Sequence, residues 1–151
     1  MSERRRLHFA DTDAVAAEVG RLRAGYSQAG NWSLPQVCWH LTEAIRFSMR
    51  LGPYEPVRGG LMRWLMVRAI LITGRIPAGA YAPERITPAK DVGEAAIDEF
   101  LTALEELKDY KGEFAPHPRL GTLKRGGYFK LHLIHCAHHL GFLTPTTGRQ
   151  A

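Results

Sequence analysis

Four of the seven histidines in this chain, His132, His135, His138 and His139, fall within eight consecutive positions. They belong to the stretch LHLIHCAHHLGF, residues 131–142, and no Asp, Glu, Lys or Arg occurs between Lys130 and Arg149. So apolar a segment belongs in the interior of a fold. There an imidazole must find partners for both of its ring nitrogens. A divalent metal ion is the partner that four such side chains suggest.

Helix geometry decides which of them could share one ion. Residues three or four apart lie on one face, with Cβ atoms about 5–6 Å apart. His135 and His139 form an i, i+4 pair, the spacing of helical HExxH zinc sites. His132/His135 and His135/His138 form i, i+3 pairs. His132 and His139 stand about two turns apart, roughly 10 Å, too far for a common ion. His135 is shared by every pair. A pair needs a third ligand, and His40 is the candidate, beside Val37, Leu41 and Ala44 on the apolar face of a second helix. Facing helices of a bundle commonly build metal sites from an inward residue on one and a helically spaced pair on another.

Several further groups could support such a site. Glu43, three residues after His40, either orients an imidazole or acts as a base, or is a solvated surface carboxylate. His132 and His138 read either as supporting groups around the ligands or as packed core histidines. His117, between Pro116 and Pro118, is a loop histidine that could line a pocket mouth. Cys38 is two positions from His40, and Cys136 lies ~100° around the helix from His135. Both read as core thiols rather than ligands or nucleophiles. The sequence holds no Ser/His/Asp arrangement and no phosphate-binding loop.

The elements that must position these residues are helical. Asp11 or Asp13 can cap a first helix whose stripe is Val15, Val19, Leu22 and Tyr26. Ser33-Leu-Pro-Gln36 is a capping box for the second, with Leu34, Val37, Leu41, Ala44, Ile45 and Ser48 inward and Gly52-Pro53 as its stop. After a loop at 53–60, Leu61–Ile72 is a third helical stretch with Leu61, Trp64, Leu65 and Leu71 inward. A long connection from Gly74 to Pro88 follows. Asp91-Val-Gly-Glu94 reads as another capping box, opening a helix that buries Ile97, Phe100, Leu101, Leu104 and Leu107 and stops by Gly112. The last helix begins near 124–128, despite Gly126-Gly127, and runs to about Phe142, with Pro145 barring continuation. Residues 1–10 read as a ragged basic lead-in, and no strand pattern of useful length occurs. The expected fold is all-α, a bundle of four main helices with an extra helix and long loops.

At 151 residues, with 45% hydrophobic content, residues 1–151 form a single domain with room for a core. The excess of 20 basic over 15 acidic residues is mostly scattered arginine, without a run beyond Arg4–Arg6. Nucleic-acid binding is therefore not expected. Two cysteines do not make a disulfide scaffold. The N-terminus has no signal-peptide pattern, and Leu61–Ile72 is too short and too interrupted by Arg63 and Arg68 to span a bilayer. A cytoplasmic protein without a membrane partner is expected.

The segments GNWSLPQVCWHLTEAI at 30–45, HPRLG at 117–121 and HCAHHLGFL at 135–143, in this order, resemble the DinB-like (DinB/YfiT) superfamily of metalloenzymes. The likeness is closest to a branch known only as a domain of unknown function, with a similar histidine–proline element ahead of a final HxxHH helix. It implies a four-helix bundle in up-down-down-up order. It also implies a divalent ion held by one histidine of the second helix and an i, i+4 pair of the last, here His40, His135 and His139. Zn²⁺ or Ni²⁺ suits such an imidazole set. Three imidazoles leave a fourth position for water or substrate. The superfamily includes transferases that use a low-molecular-weight thiol. The expected function is thus a divalent-metal-dependent enzyme acting on a small-molecule substrate, as a small-thiol S-transferase or a hydrolase. The other reading is a non-enzymatic helical binding module, with a homodimer as its simplest partner arrangement. The chain departs from the superfamily at Gly126-Gly127 and at Gly141-Phe142, which replace the more polar residues that often follow the second histidine.

Overall fold

Asp11 starts the first helix: its carboxylate accepts the Ala14 N–H at 2.8 Å, satisfying one of the donors that a helix start leaves without a partner. The computed structural model describes residues 3–49, 60–76, 86–117 and 120–146. Among them the order is α1 (Thr12–Arg23), β1 (Tyr26–Gln28), α2 (Leu34–Met49), α3 (Leu61–Thr73), α4 (Ala95–Asp109), α5 (Arg125–Leu140) and β2 (Leu143–Pro145). The fold is all-α, with one short two-stranded ribbon added. None of these helices is long and apolar enough to cross a membrane.

The capping box of α2 forms as its residues require. The Ser33 N–H donates to Gln36 Oε1 at 2.9 Å, and the Gln36 N–H to Ser33 Oγ at 3.4 Å. A third donor at this end, the Leu34 N–H, is taken by Tyr26 Oη at 2.9 Å. Tyr26 therefore does not continue the stripe of α1. Gly25, at φ 146, turns the chain out of the helix, and Tyr26 enters a strand whose phenol closes the next helix.

Four helices share the core. Val15, Val19 and Leu22 of α1 meet Val37, Leu41 and Ile45 of α2, Phe100, Leu104 and Leu107 of α4, and Cys136, Ala137 and Leu140 of α5. α4 and α5 each pack against both α1 and α2. Burying each such Leu or Phe contributes about 1.5–3 kcal/mol, so this core carries most of the fold. Ion pairs at the surface between α2 and α4, Arg46 with Glu99 and Glu106, add little.

Several expectations need correction. Asp91–Glu94 does not form a capping box: Glu94 is the N-cap in αR geometry, without a side-chain cap bond. α4 ends at Asp109 rather than near Gly112, because Tyr110 turns extended. Leu61, Trp64 and Leu65 do not face inward. They are exposed, and α3 seats Ile70, Val67 and Leu71 against Leu131 and Ile134 of α5 instead. Gly74, at φ 64, ends α3 in the left-handed conformation that favours glycine. The loop at 53–59, the stop at Gly52-Pro53, residues 77–85 of the long connection, and Pro118-Arg119 lie outside the described residues.

The lead-in is not ragged either. Arg5 Nε donates to the Leu143 carbonyl at 2.7 Å, and its guanidinium pairs at 2.5 Å with Glu18, a carboxylate only 2% exposed. Phe9 is buried in the core. The Arg5 N–H donates to the Gly141 carbonyl at 2.8 Å. A Cβ on Gly141 would stand 2.7 Å from the Arg5 carbonyl oxygen, so this close approach requires glycine there. β1 and β2 pair antiparallel, with Tyr26 opposite Pro145 and Gln28 opposite Leu143. This joins the α1–α2 connection to the chain leaving α5.

Candidate metal centre

α2 and α5 bring His40, His135 and His139 together. The Nε2 atoms of His40 and His139 each lie 3.1 Å from Nε2 of His135, and the three candidate ligand atoms all lie within 4.8 Å of one another. His135 and His139 are one turn apart on α5, so the helix itself sets their spacing. His40 is fixed from behind: Nδ1 donates to the Ile86 carbonyl at 2.7 Å. The segment carrying Ile86 is tied to the start of α2 by Gln36 Nε2, which donates to the Ala89 carbonyl at 2.9 Å. One residue thus closes the capping box and steadies the loop behind the histidine.

Trp32 completes the wall. Its ring stacks on His139, with centroids 5.4 Å apart and planes at 17°, and lies 4.9 Å from the ring of His40. Neither Trp32 nor the Ile86 carbonyl was recognisable as a site group from histidine spacing. The signal for Trp32 was its place just before the N-cap Ser33, where an apolar side chain commonly folds back over the first helical turn.

The other candidate residues stand apart from this cluster. His132 is buried, and its Nε2 lies 2.8 Å from Ser48 Oγ, whose hydroxyl donates to the Ile45 carbonyl. Nε2 of His132 is then the donor to Ser48. His138 packs edge-on to His139 and Phe142, and its buried Nδ1 has no hydrogen-bond partner. His117 Nδ1 accepts the Leu120 N–H at 3.1 Å, and its backbone pairs with Gly121. Glu43 lines a groove with Trp39 and Arg46 of α2 and Ala96 and Glu99 of α4. Cys38 and Cys136 are buried, with free thiols in the core.

Over residues 1–146 the chain matches the family model described as "Protein of unknown function (DUF1569)". The chain belongs to this family. Searches of curated proteins and of solved structures return no match.

The electrostatics of the cluster in this DUF1569 member suit a cation. Burial holds the His40 imidazole below its usual range, with the Ile86 carbonyl opposing. Burial, then the neighbouring His139 and His40, push His135 well below. His139 falls to about 2, through burial and then His40, His138 and Arg4. All three are neutral at pH 7, the form in which imidazole ligates metal. Proton bookkeeping makes the same point. His40 Nδ1 carries a hydrogen for Ile86, so its Nε2 is a bare lone pair. A neutral His135 offers at most one Nε2–H, yet faces the Nε2 atoms of both neighbours. A metal ion satisfies three converging lone pairs where a single proton cannot. With Zn–N bonds of ~2.05 Å in tetrahedral geometry, ligand nitrogens stand about 3.3 Å apart; two of the three separations here are 3.1 Å, and all lie within 4.8 Å. The residues fit a divalent ion bound by three neutral nitrogens.

Proposed function

We propose that this protein is a DinB-like metal-dependent enzyme in which His40, His135 and His139 hold one divalent ion, Zn²⁺ or Ni²⁺. The convergence of their three Nε2 atoms carries the reading. When bound, such an ion lowers the pKa of a thiol or water at its open position toward neutrality. His40 is 1% exposed, whereas His135 and His139 are half-buried. A small molecule reaching the ion would therefore meet it past the two α5 histidines rather than past His40. Trp32 holds the plane of His139 and limits water on its own side.

The nucleophile has to come from outside the chain. Burial pushes the Cys136 thiol up to about 12 and the Cys38 thiol higher still, so neither supplies a thiolate. A low-molecular-weight thiol then gives an S-transferase. The thiol's S–H bond is replaced by an S–C bond to an electrophilic acceptor, and the proton passes to solvent or to the leaving group. Water in the same role gives a hydrolase. The non-enzymatic alternative draws support from the burial of His40 and the Trp32 cover, which a structural metal would also use.

The test is elemental analysis of protein purified without a nickel column, followed by Co²⁺ substitution. One ion per chain is expected. Small thiols should change the visible spectrum of the Co²⁺ form, and conjugation to an electrophile should require metal and His40. Stoichiometry near zero after incubation with each ion removes the metalloenzyme reading. Bound cobalt whose spectrum no thiol alters removes the transferase and leaves hydrolysis or a structural role.

A further inference from the structure

All the large hydrophobic residues exposed among the described residues lie on one helix, α3: Leu61, Met62, Trp64, Leu65, Met66 and Ile72. Leu61, Met62 and Ile72 are 71%, 79% and 72% exposed. At 100° per residue, Leu61, Leu65 and Ile72 fall in the middle of the solvent arc. Met62 and Met66 lie on one flank and Trp64 on the other. The opposite side of the helix rests on Leu131 and Ile134 of α5. α3 thus shows an apolar stripe on both sides, and among the described residues only one is packed against another element.

We propose that the free face of α3 is the contact surface for a second copy of this chain, the two helices packing across a two-fold axis near Leu65. The six side chains expose several hundred Å² together, approaching the roughly 800 Å² that each partner contributes to a standard interface. So large a contiguous apolar area is at the upper end of what a monomer leaves to solvent. The face is also suited to meeting itself. Its one charged residue, Arg68, lies with its guanidinium 4.9 Å over the Trp64 ring, where the charge is stacked rather than projecting. Two unbranched methionines adapt to an identical neighbour. A lipid surface fits less well, because a membrane-lying helix keeps its basic residues on the polar face, whereas Arg68 falls inside the apolar arc. Pairing through α3 would press it onto Leu131 and Ile134, the residues flanking His132 and His135, and so brace the helix that carries two of the clustered histidines.

The test is sedimentation equilibrium on the full chain, with Leu65→Glu and Met62→Glu as interface variants and Ala17→Glu, on the exposed side of α1, as control. Wild type and control should form a dimer at micromolar concentration. Each interface variant should weaken it at least tenfold while its circular dichroism stays unchanged. Independently, Leu65→Cys should cross-link to itself under mild oxidation, since Cys38 and Cys136 are buried. A monomeric wild type overturns the proposal, as does a dimer equally strong in both interface variants. Monomer that floats with anionic phosphatidylserine vesicles also overturns it and assigns the face to lipid.

Discussion

Acid should destabilise this fold well before its carboxylates protonate, and His132 offers the cleanest measure. Its imidazole is 7% exposed and hydrogen-bonded to Ser48, and it stands outside the three-nitrogen cluster. Burial, with a smaller contribution from the charge of His117, lowers it to about 4. The unfolded chain, with an ordinary histidine near 6.5, binds the extra proton first as pH falls. The stabilisation is therefore complete above about pH 6.5 and lost as pH falls toward 4. At ~1.4 kcal/mol per tenfold in proton affinity, it amounts to about 3 kcal/mol, a sizeable part of the 5–15 kcal/mol that a domain of this kind possesses. His138, also lowered to about 4, acts in the same direction. The assay is urea unfolding of chelator-treated protein across this window. His132→Gln, which can still donate to Ser48, should make stability fall less steeply, by about 1.4 kcal/mol per pH unit. A slope identical to wild type would show that the folded state does not hold His132 neutral, and the argument from burial would be wrong.

Other outcomes follow from the same geometry. His139→Ala should abolish tight metal binding by calorimetry, whereas His138→Ala should retain most of it, because His138 lies outside the cluster. Gly141→Ala should cost about 1–3 kcal/mol in thermal unfolding, since its Cβ would press on the carbonyls of Arg5 and Ala137; an unchanged stability would mean that the lead-in is not held there. Glu18→Gln should destabilise by about 3 kcal/mol, because it leaves the partly buried Arg5 without its counter-charge.

The parts legible in the sequence were those governed by local rules. The Ser33–Gln36 capping box and the α1, α2 and α4 stripes are set by residues within a few positions of one another, as is the shared face of His135 and His139. His40 could be paired with them because bundles place inward residues of facing helices close together. Long-range effects were not legible. Leu61, Trp64 and Leu65 have the same periodicity as a core stripe, and hydrophobicity alone cannot say which of two apolar faces α3 turns inward. Arg5 looked like solvated charge because its partners, Glu18 and the carbonyls of Leu140 and Leu143, are distant in sequence or lie on the backbone. The ribbon strands are three residues each, too short for alternation to register. Glycine at 141 looked like a loss of chemistry beside the histidines. It is a requirement of packing.

The sequence separation of the contacts that close this fold also bears on the order in which it can assemble. Arg5 and Leu143, joined by a hydrogen bond, stand 138 residues apart, and the His40–His135 contact spans 95. Contacts of such separation form late, because the loop entropy is lost before they contribute. During synthesis α1, α2 and α4 can begin to associate, but three converging imidazoles do not exist until α5 has emerged. The histidine cluster is therefore a product of completed folding rather than a nucleus for it. A chain cut after Leu140 would keep every histidine and lose the strand that pairs with β1.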